Sequence, residues 1–165
     1  FADGALGPRT ARMIDPYEGT IDQRGISTCD KEEMFENERA AAAAGLSSTI
    51  HAIGDKANHD VLDVYEMVRA ADPNPHLRHR IEHVQLLHPA DFKRLGQLNI
   101  IASMQPSHAT SDMLIADKHW GARSAGAYAW RTQLDAGAVL AFGSDSPVSL
   151  GARRMPHTMK RAKAR

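Results

Sequence analysis

Short apolar runs that alternate with helix-like segments are the feature that most restricts the fold of this 165-residue chain. Four runs are predicted as strands, and a segment with helical spacing precedes each one; the runs are SSTIHA, HRIEHVQ, IIASMQ and AVLAFGS. Regular alternation of this kind indicates parallel strands, because each helix carries the chain back across the sheet. The sequence therefore predicts an α/β fold.

Local signals support the predicted helices. Asp30 followed by Glu33 has the spacing of a capping box, and an alanine-rich run follows it. Asp55 is predicted to cap the next helix. The segment Pro106 to Tyr128 is polar and lacks clear periodicity, so we expect it to be irregular.

Polar side chains stand where three of the predicted strands end: His51, His83 and Asp145. Successive side chains of a strand point to opposite faces, so residues two or four apart share a face. The pairs predicted to share a face are Thr49 with His51, Ile81 with His83, and Ala141 with Asp145. The carboxyl ends of the strands form the active-site face of parallel α/β barrels. We therefore expect the three side chains to converge on one site.

Two imidazoles and a carboxylate form a suitable ligand set for zinc or a similar divalent ion. Taken singly, each residue also has an ordinary structural explanation, as a hydrogen-bonded rim histidine or as a turn or cap residue. Their occurrence on successive strands, all at the same end, favours the metal site. We therefore predict a divalent metal, with zinc as the preferred ion, bound by His51, His83 and Asp145.

Charge is unevenly distributed along the chain. Residues 151–165 hold six Lys and Arg residues and no acid, which leaves 14 basic and 20 acidic residues in 1–150. We expect residues 150–165 to form a basic tail outside the native fold, whereas 1–149 form the folded domain. Such a tail suits an anionic partner, but we do not expect nucleic acid to be the partner.

Composition also restricts where the protein works. Cys29 is the single cysteine, which excludes an intrachain disulfide and favours a reducing, cytoplasmic compartment. No apolar run reaches the roughly 20 residues that span a bilayer, so we expect no membrane partner.

Several motifs resemble those of the amidohydrolase superfamily, and the nearest subgroup is that of N-substituted formamide deformylases and related metal-dependent hydrolases. The motifs are FADGALGPRTA, IHAIGDKA, HRIEHVQLLHPADFKRL, IIASMQPSH and LAFGSDSPV. The resemblance covers residues 1–149 and implies a fragment of a parallel (β/α)8 TIM barrel, roughly strands 5 to 8. The family's strand 1 His-x-His pair and strand 4 lysine would then lie upstream of Phe1.

The resemblance also implies roles for individual residues. His51 and His83 match the metal-ligand histidines of strands 5 and 6, and Asp145 matches the strand 8 aspartate that binds metal and handles the proton of the attacking water. The implied reaction is hydrolysis of a non-peptide carbon–nitrogen bond in a small-molecule amide or formamide. Three loop residues are interpreted as substrate contacts: Arg9, Gln105 and His108. Asp3 and Asp55 are interpreted as turn and cap residues.

Alternatives to the hydrolase remain at the level of sequence. A fragment of a barrel has unpaired sheet edges and can self-associate, so we expect a homo-oligomer, and the isolated chain can be inactive. One alternative is a non-catalytic fragment that binds anions or nucleic acid through its basic tail. A phosphate-binding barrel that uses DGALG is less favoured, because no helix follows these glycines in the pattern that cradles phosphate.

Overall fold

Four parallel strands form a single sheet in the computed structural model, which describes residues 1–146. In chain order the elements are α1 (Lys31–Ala43), β1 (Thr49–Ala52), α2 (Asp55–Ala71), β2 (Arg80–His83), a 3-10 helix (Pro89–Asp91), α3 (Arg94–Gln97), β3 (Ile101–Met104), α4 (Pro106–Trp120), a second 3-10 helix (Gly121–Gly126), α5 (Trp130–Asp135) and β4 (Val139–Phe142). The strands are ordered β1-β2-β3-β4, and every neighbouring pair is parallel. The predicted α/β fold is therefore confirmed, whereas the predicted basic tail lies outside the described residues.

One face of the sheet packs against helices. Ile50, Ile81 and Ala102 occupy the same register position on three neighbouring strands, and all three are buried. They share one apolar core with residues of α2, among them Val61 and Leu62. Burial of this apolar surface is the main favourable term that holds the helices on the sheet.

The other face of the sheet is more open and carries the polar strand-end residues. His51 lies opposite Glu82 in the register of β1 and β2, and Ser103 follows in β3. Residues in register on parallel strands point to the same side, so these three side chains share this face. His51 and Glu82 are half-buried, in contrast to the buried residues of the helix-facing side.

Helix α4 corrects the expectation that residues 106–128 are irregular. Pro106 occupies the first turn, where its missing N–H is tolerated, and the helix ends before Gly121, whose φ is 55°. The apolar periodicity is weak because this helix buries only a narrow strip, including Ala116 and Trp120. Among residues 1–146, no helix is both long enough and apolar enough to cross a membrane.

The segment that precedes α1 has no regular elements but is well packed. Leu6, Met13 and Tyr17 are buried and form a second apolar cluster with Ile53 and Trp120. The Tyr17 hydroxyl donates to the carbonyl of Ala11 at 2.7 Å. This cluster holds residues 1–30 against the turn after β1, which is the edge of the sheet where the candidate site lies.

His79, which directly precedes β2, is a core residue. Its ring is fully buried and stacks on Tyr65 with 5.0 Å between the ring centroids. The backbone N–H of Ser48 donates to its Nδ1, so the ring is neutral with its proton on Nε2. Burial, and then the charge of Arg69, lower the pKa of His79.

We predict that His79→Gln reduces the pH dependence of stability. The folded-state pKa lies below the unfolded value of about 6.5, so the folded protein binds fewer protons just below that pH. The free energy of unfolding therefore falls as the pH drops through 6.5, and removal of this group should reduce the slope by up to about 1.4 kcal/mol per pH unit. Urea unfolding between pH 5 and 7.5 measures this slope, and His76→Gln, at an exposed histidine, is the control. Equal slopes in wild type and His79→Gln would contradict the prediction.

Candidate active site

His83 reaches the open face because its backbone leaves the regular strand conformation. In a regular strand it would share a face with Ile81, which is 0% exposed in the helix-facing core. Instead His83 has a φ of 75° and Val84 a φ of 44°. The His83 ring lies against His51, with 4.6 Å between the ring centroids. The predicted inward pairing of Ile81 with His83 is therefore wrong, and the backbone change explains why His83 still joins the site.

Three side chains from different elements form what we term the His–His–Asp cluster: His83, His108 and Asp145. One ligand atom from each lies within 4.8 Å of the others. His108 comes from the first turn of α4, and its Nε2 is 3.7 Å from Oδ2 of Asp145, which follows β4. Two donors on one zinc ion, each with a bond of about 2.1 Å, lie at most about 4.2 Å apart. The cluster is thus close to the spacing that a shared ion requires.

His51 lies beside this cluster but is not one of its three mutually close members. Its Nε2 is 2.9 Å from the carbonyl oxygen of Gly4 and 3.4 Å from Oδ1 of Asp3. A carbonyl can only accept, so in the neutral ring Nε2 carries the proton and Nδ1 carries the lone pair. Of the three side chains expected to converge, the structure brings His83 and Asp145 together, whereas the third close member is His108 and not His51.

Gln105 holds the His83 ring in one tautomer. Its Oε1 is 2.8 Å from Nδ1 of His83, and its Nε2 donates at 3.4 Å to both the Glu82 carboxylate and the carbonyl of Ser103. Because both of those partners accept, the amide oxygen must face His83, which leaves Nε2 of His83 unprotonated. Burial, and then the neighbouring His51, lower the pKa of His83, which favours the neutral ring.

Asp3 does more than the turn residue that the sequence predicts, because it joins the first loop to the turn after β1 beside the cluster. Its side chain is buried and accepts from the backbone N–H groups of Arg12 at 2.8 Å, Ile53 at 3.1 Å and Gly54 at 2.8 Å. The Asp55 carboxylate accepts from the backbone N–H of Ile14. Asp55 is the first residue of α2 and Gly54 is its cap residue, so the prediction that Asp55 caps this helix is wrong. The sequence holds no local signal for these contacts, because the partners are up to 51 residues apart.

An open cleft of about 330 Å³ adjoins the cluster. It is lined by Ala5, Leu6, Gly7, His51, Ile53, His83, Gln85, His108, Ser111, Asp112 and Asp145. On its wall Gln85 donates to Asp112 at 3.2 Å and to the Tyr128 hydroxyl, which itself donates to Asp112 at 3.1 Å. Burial, and then the Asp112 charge, raise the pKa of Tyr128, so its hydroxyl remains a donor.

The three residues predicted to contact substrate occupy different positions. His108 lines the cleft within the cluster, whereas Gln105 is buried behind His83. Arg9 is half-buried on the first loop and is not among the residues that line the cleft; together with burial, its charge lowers the pKa of His119.

Comparison with known proteins finds consistent similarity. Residues 1–152 match the amidohydrolase family. The chain is 42% identical over 151 residues to Protein LONG AFTER FAR-RED 3 of Arabidopsis thaliana, covering 90% of this chain and 26% of that protein. Crystal structures of uncharacterized metal-dependent hydrolases from Pyrococcus furiosus and Pyrococcus horikoshii each superpose with a TM-score of 0.79, at 34% and 33% identity.

These similarities cover nearly all of this chain but a smaller share of the other proteins. The alignments span 90% of this chain in both structural comparisons, and 30% and 29% of the two hydrolase chains. The chain thus spans between a quarter and a third of the length of these three proteins.

We predict that Asp3→Ala strongly destabilises the fold. The change leaves three backbone N–H groups without their acceptor, and each unpaired buried group costs about 1–3 kcal/mol, so we expect a loss of at least about 3 kcal/mol. Asp3→Asn should fall between Asp3→Ala and wild type, because its amide retains one accepting oxygen. Urea unfolding measures the loss, and Asp22→Ala, at a side chain 85% exposed, is the control. Equal unfolding midpoints for Asp3→Ala and the control would refute the role of Asp3.

Proposed function

Because the chain belongs to the amidohydrolase family, we propose that its His–His–Asp cluster is part of the metal centre of a hydrolase. The proposed reaction is cleavage of a carbon–nitrogen bond, other than a peptide bond, in a small amide or formamide. The observation that carries the proposal is the convergence of His83, His108 and Asp145 to within 4.8 Å, at the edge of the sheet where the strands end.

The donor chemistry of the cluster suits a divalent ion, and two imidazole nitrogens with one carboxylate oxygen suit zinc in particular. His83 offers Nε2 because Gln105 holds its other nitrogen, and His51 offers Nδ1 because Gly4 holds its other nitrogen. Hydrogen bonds from the outer nitrogens of ligand histidines are a general property of metal sites. We therefore propose His83, Asp145 and His51 as metal ligands, with His108 as a further donor.

Asp145 is the proposed catalytic base. A divalent ion in such a site lowers the pKa of water towards 7 and polarises the substrate carbonyl. The Asp145 carboxylate accepts a proton from the attacking water and returns it to the departing nitrogen, so that amide and water become carboxylic acid and amine. His108, at 3.7 Å from Asp145, is the proposed further metal donor beside this carboxylate, and its position in the cleft lining also places it next to a bound substrate.

We further propose that residues 1–149 correspond to strands 5 to 8 of a (β/α)8 barrel, in the subgroup of formamide deformylase-like enzymes. The order β1-β2-β3-β4 and the parallel pairing support this placement, because consecutive barrel strands are adjacent and parallel. In this arrangement β1, β2 and β4 are strands 5, 6 and 8. Arg9 and Gln105 remain proposed contributors to substrate binding, Gln105 through its contact with His83.

The proposal predicts zinc binding that depends on the cluster. After dialysis against zinc and removal of excess, we expect about one equivalent by elemental analysis, and loss of most of it in His83→Ala and Asp145→Ala. His51→Ala and His108→Ala, compared side by side, decide which imidazole is the stronger additional ligand. His76→Ala, at an exposed loop histidine, is the control and should retain the metal.

Catalysis is tested with N-formylated and N-acetylated amines, by measuring the released amine. Amine release by the zinc-loaded chain that disappears in Asp145→Asn, while zinc is still bound, supports the role of Asp145. Absence of zinc binding in the wild-type chain and in every variant would overturn the proposed metal centre.

We predict that Gln105→Leu weakens zinc binding about 10- to 100-fold, the usual effect of losing a hydrogen bond to a ligand histidine. Leucine cannot accept from Nδ1 of His83, so the ring is free to adopt the tautomer that presents a proton to the ion. Competition with a zinc-binding dye measures the affinity. The exposed Gln97→Leu provides a matched control, and equal affinities in the two variants would refute the positioning role.

A further inference from the structure

In the described part of the chain, the ionisable side chains that line the cleft are three histidines and two aspartates, without lysine or arginine. Of the two carboxylates, Asp145 belongs to the His–His–Asp cluster, whereas Asp112 is not a member of that cluster. Asp112 therefore remains as a negative charge on the cleft wall, away from the proposed metal centre.

Within residues 1–146, the side chains that donate hydrogen bonds to Asp112 are all neutral. Ser111 donates to Oδ1 at 2.9 Å, and Gln85 and Tyr128 donate to Oδ2 at 3.2 Å and 3.1 Å. A carboxylate has about four acceptor sites, so three donors leave about one of them open. Neutral donors orient the carboxylate without neutralising it, and a cation gains more from such a group than a neutral donor does.

The position of Asp112 on α4 defines the distance between the two groups of a ligand that contacts both the cluster and Asp112. Asp112 follows His108 by four residues, so both side chains leave the same side of the helix, about one turn or roughly 5–6 Å apart. A ligand whose carbonyl lies at the cluster can therefore place a second group at Asp112 with a linker of about three carbons.

We propose that Asp112 selects amides that carry a second, positively charged nitrogen about three carbons from the amide, that is, N-acylated diamines. This inference rests on the proposed function, since the cluster defines where the scissile amide lies. The carboxylate of Asp112 holds the ammonium group, while the scissile bond lies near Asp145. Anionic amides, such as acylated amino acids, are disfavoured by the same charge.

Three probes of matched length test the proposal: N-acetyl-1,3-diaminopropane is cationic, N-butylacetamide is neutral and 4-acetamidobutanoate is anionic. We measure their affinities for the full chain by ligand-observed NMR, with zinc and again with excess chelator. The cationic probe should bind at least tenfold more tightly than the neutral one, and the anionic probe most weakly. Asp112→Asn should remove the preference, and Asp112→Lys should favour the anionic probe. Asp117→Asn, an exposed aspartate on the same helix, should change nothing.

Equal affinity of the three probes for the wild-type chain would overturn the proposal, and this comparison requires no variant to fold. A charge preference that Asp112→Asn leaves unchanged would also overturn it. A chain that binds zinc and hydrolyses the neutral and cationic probes equally well would refute the role of Asp112 but not the metal centre. A preference for the cation in a chain that binds no zinc would support the Asp112 site and refute the metal centre.

Discussion

The buried carboxylate of Asp3 is the contact on which the rest of the site depends. A charged group is retained away from water only when hydrogen bonds replace its hydration, and three backbone N–H groups do this here. One of them, from Arg12, belongs to the first loop, and the other two belong to the turn between β1 and α2. A single side chain thus joins the irregular first 30 residues to the carboxyl end of the sheet.

This junction determines how His51 is presented. Nε2 of the ring donates to the carbonyl of Gly4 and lies 3.4 Å from Asp3, so the loop selects the tautomer of His51. Gly54 completes the junction, because a Cβ there would lie 2.0 Å from the carbonyl oxygen of Arg12. Loop, turn and imidazole therefore form one unit, and a change in any of them alters the others.

His83 is held by a different mechanism. Positive φ angles at His83 and Val84 cost about 1–3 kcal/mol each for residues other than glycine. Burial of Val84 in the core, at 0% exposed, and the hydrogen bond from His83 to Gln105 offset that strain. The strained backbone converts a strand residue that would face the helices into one that faces the cleft. Strain of this kind is common at functional sites, where the surrounding packing maintains it.

By itself the sequence determined the strands and the polar residues at their ends, because hydrophobic periodicity and turn residues act over short distances. It predicted His83 and Asp145 as members of one site, which the structure places close together, and it predicted the capped start of α1 at Asp30, whose side chain accepts from the backbone N–H of Glu33. Only the tertiary structure decided that His108 completes the cluster and that Asp3 anchors the first loop. Those outcomes depend on backbone angles that depart from the regular pattern and on contacts between residues far apart in the chain, and neither leaves a periodic signal in the sequence.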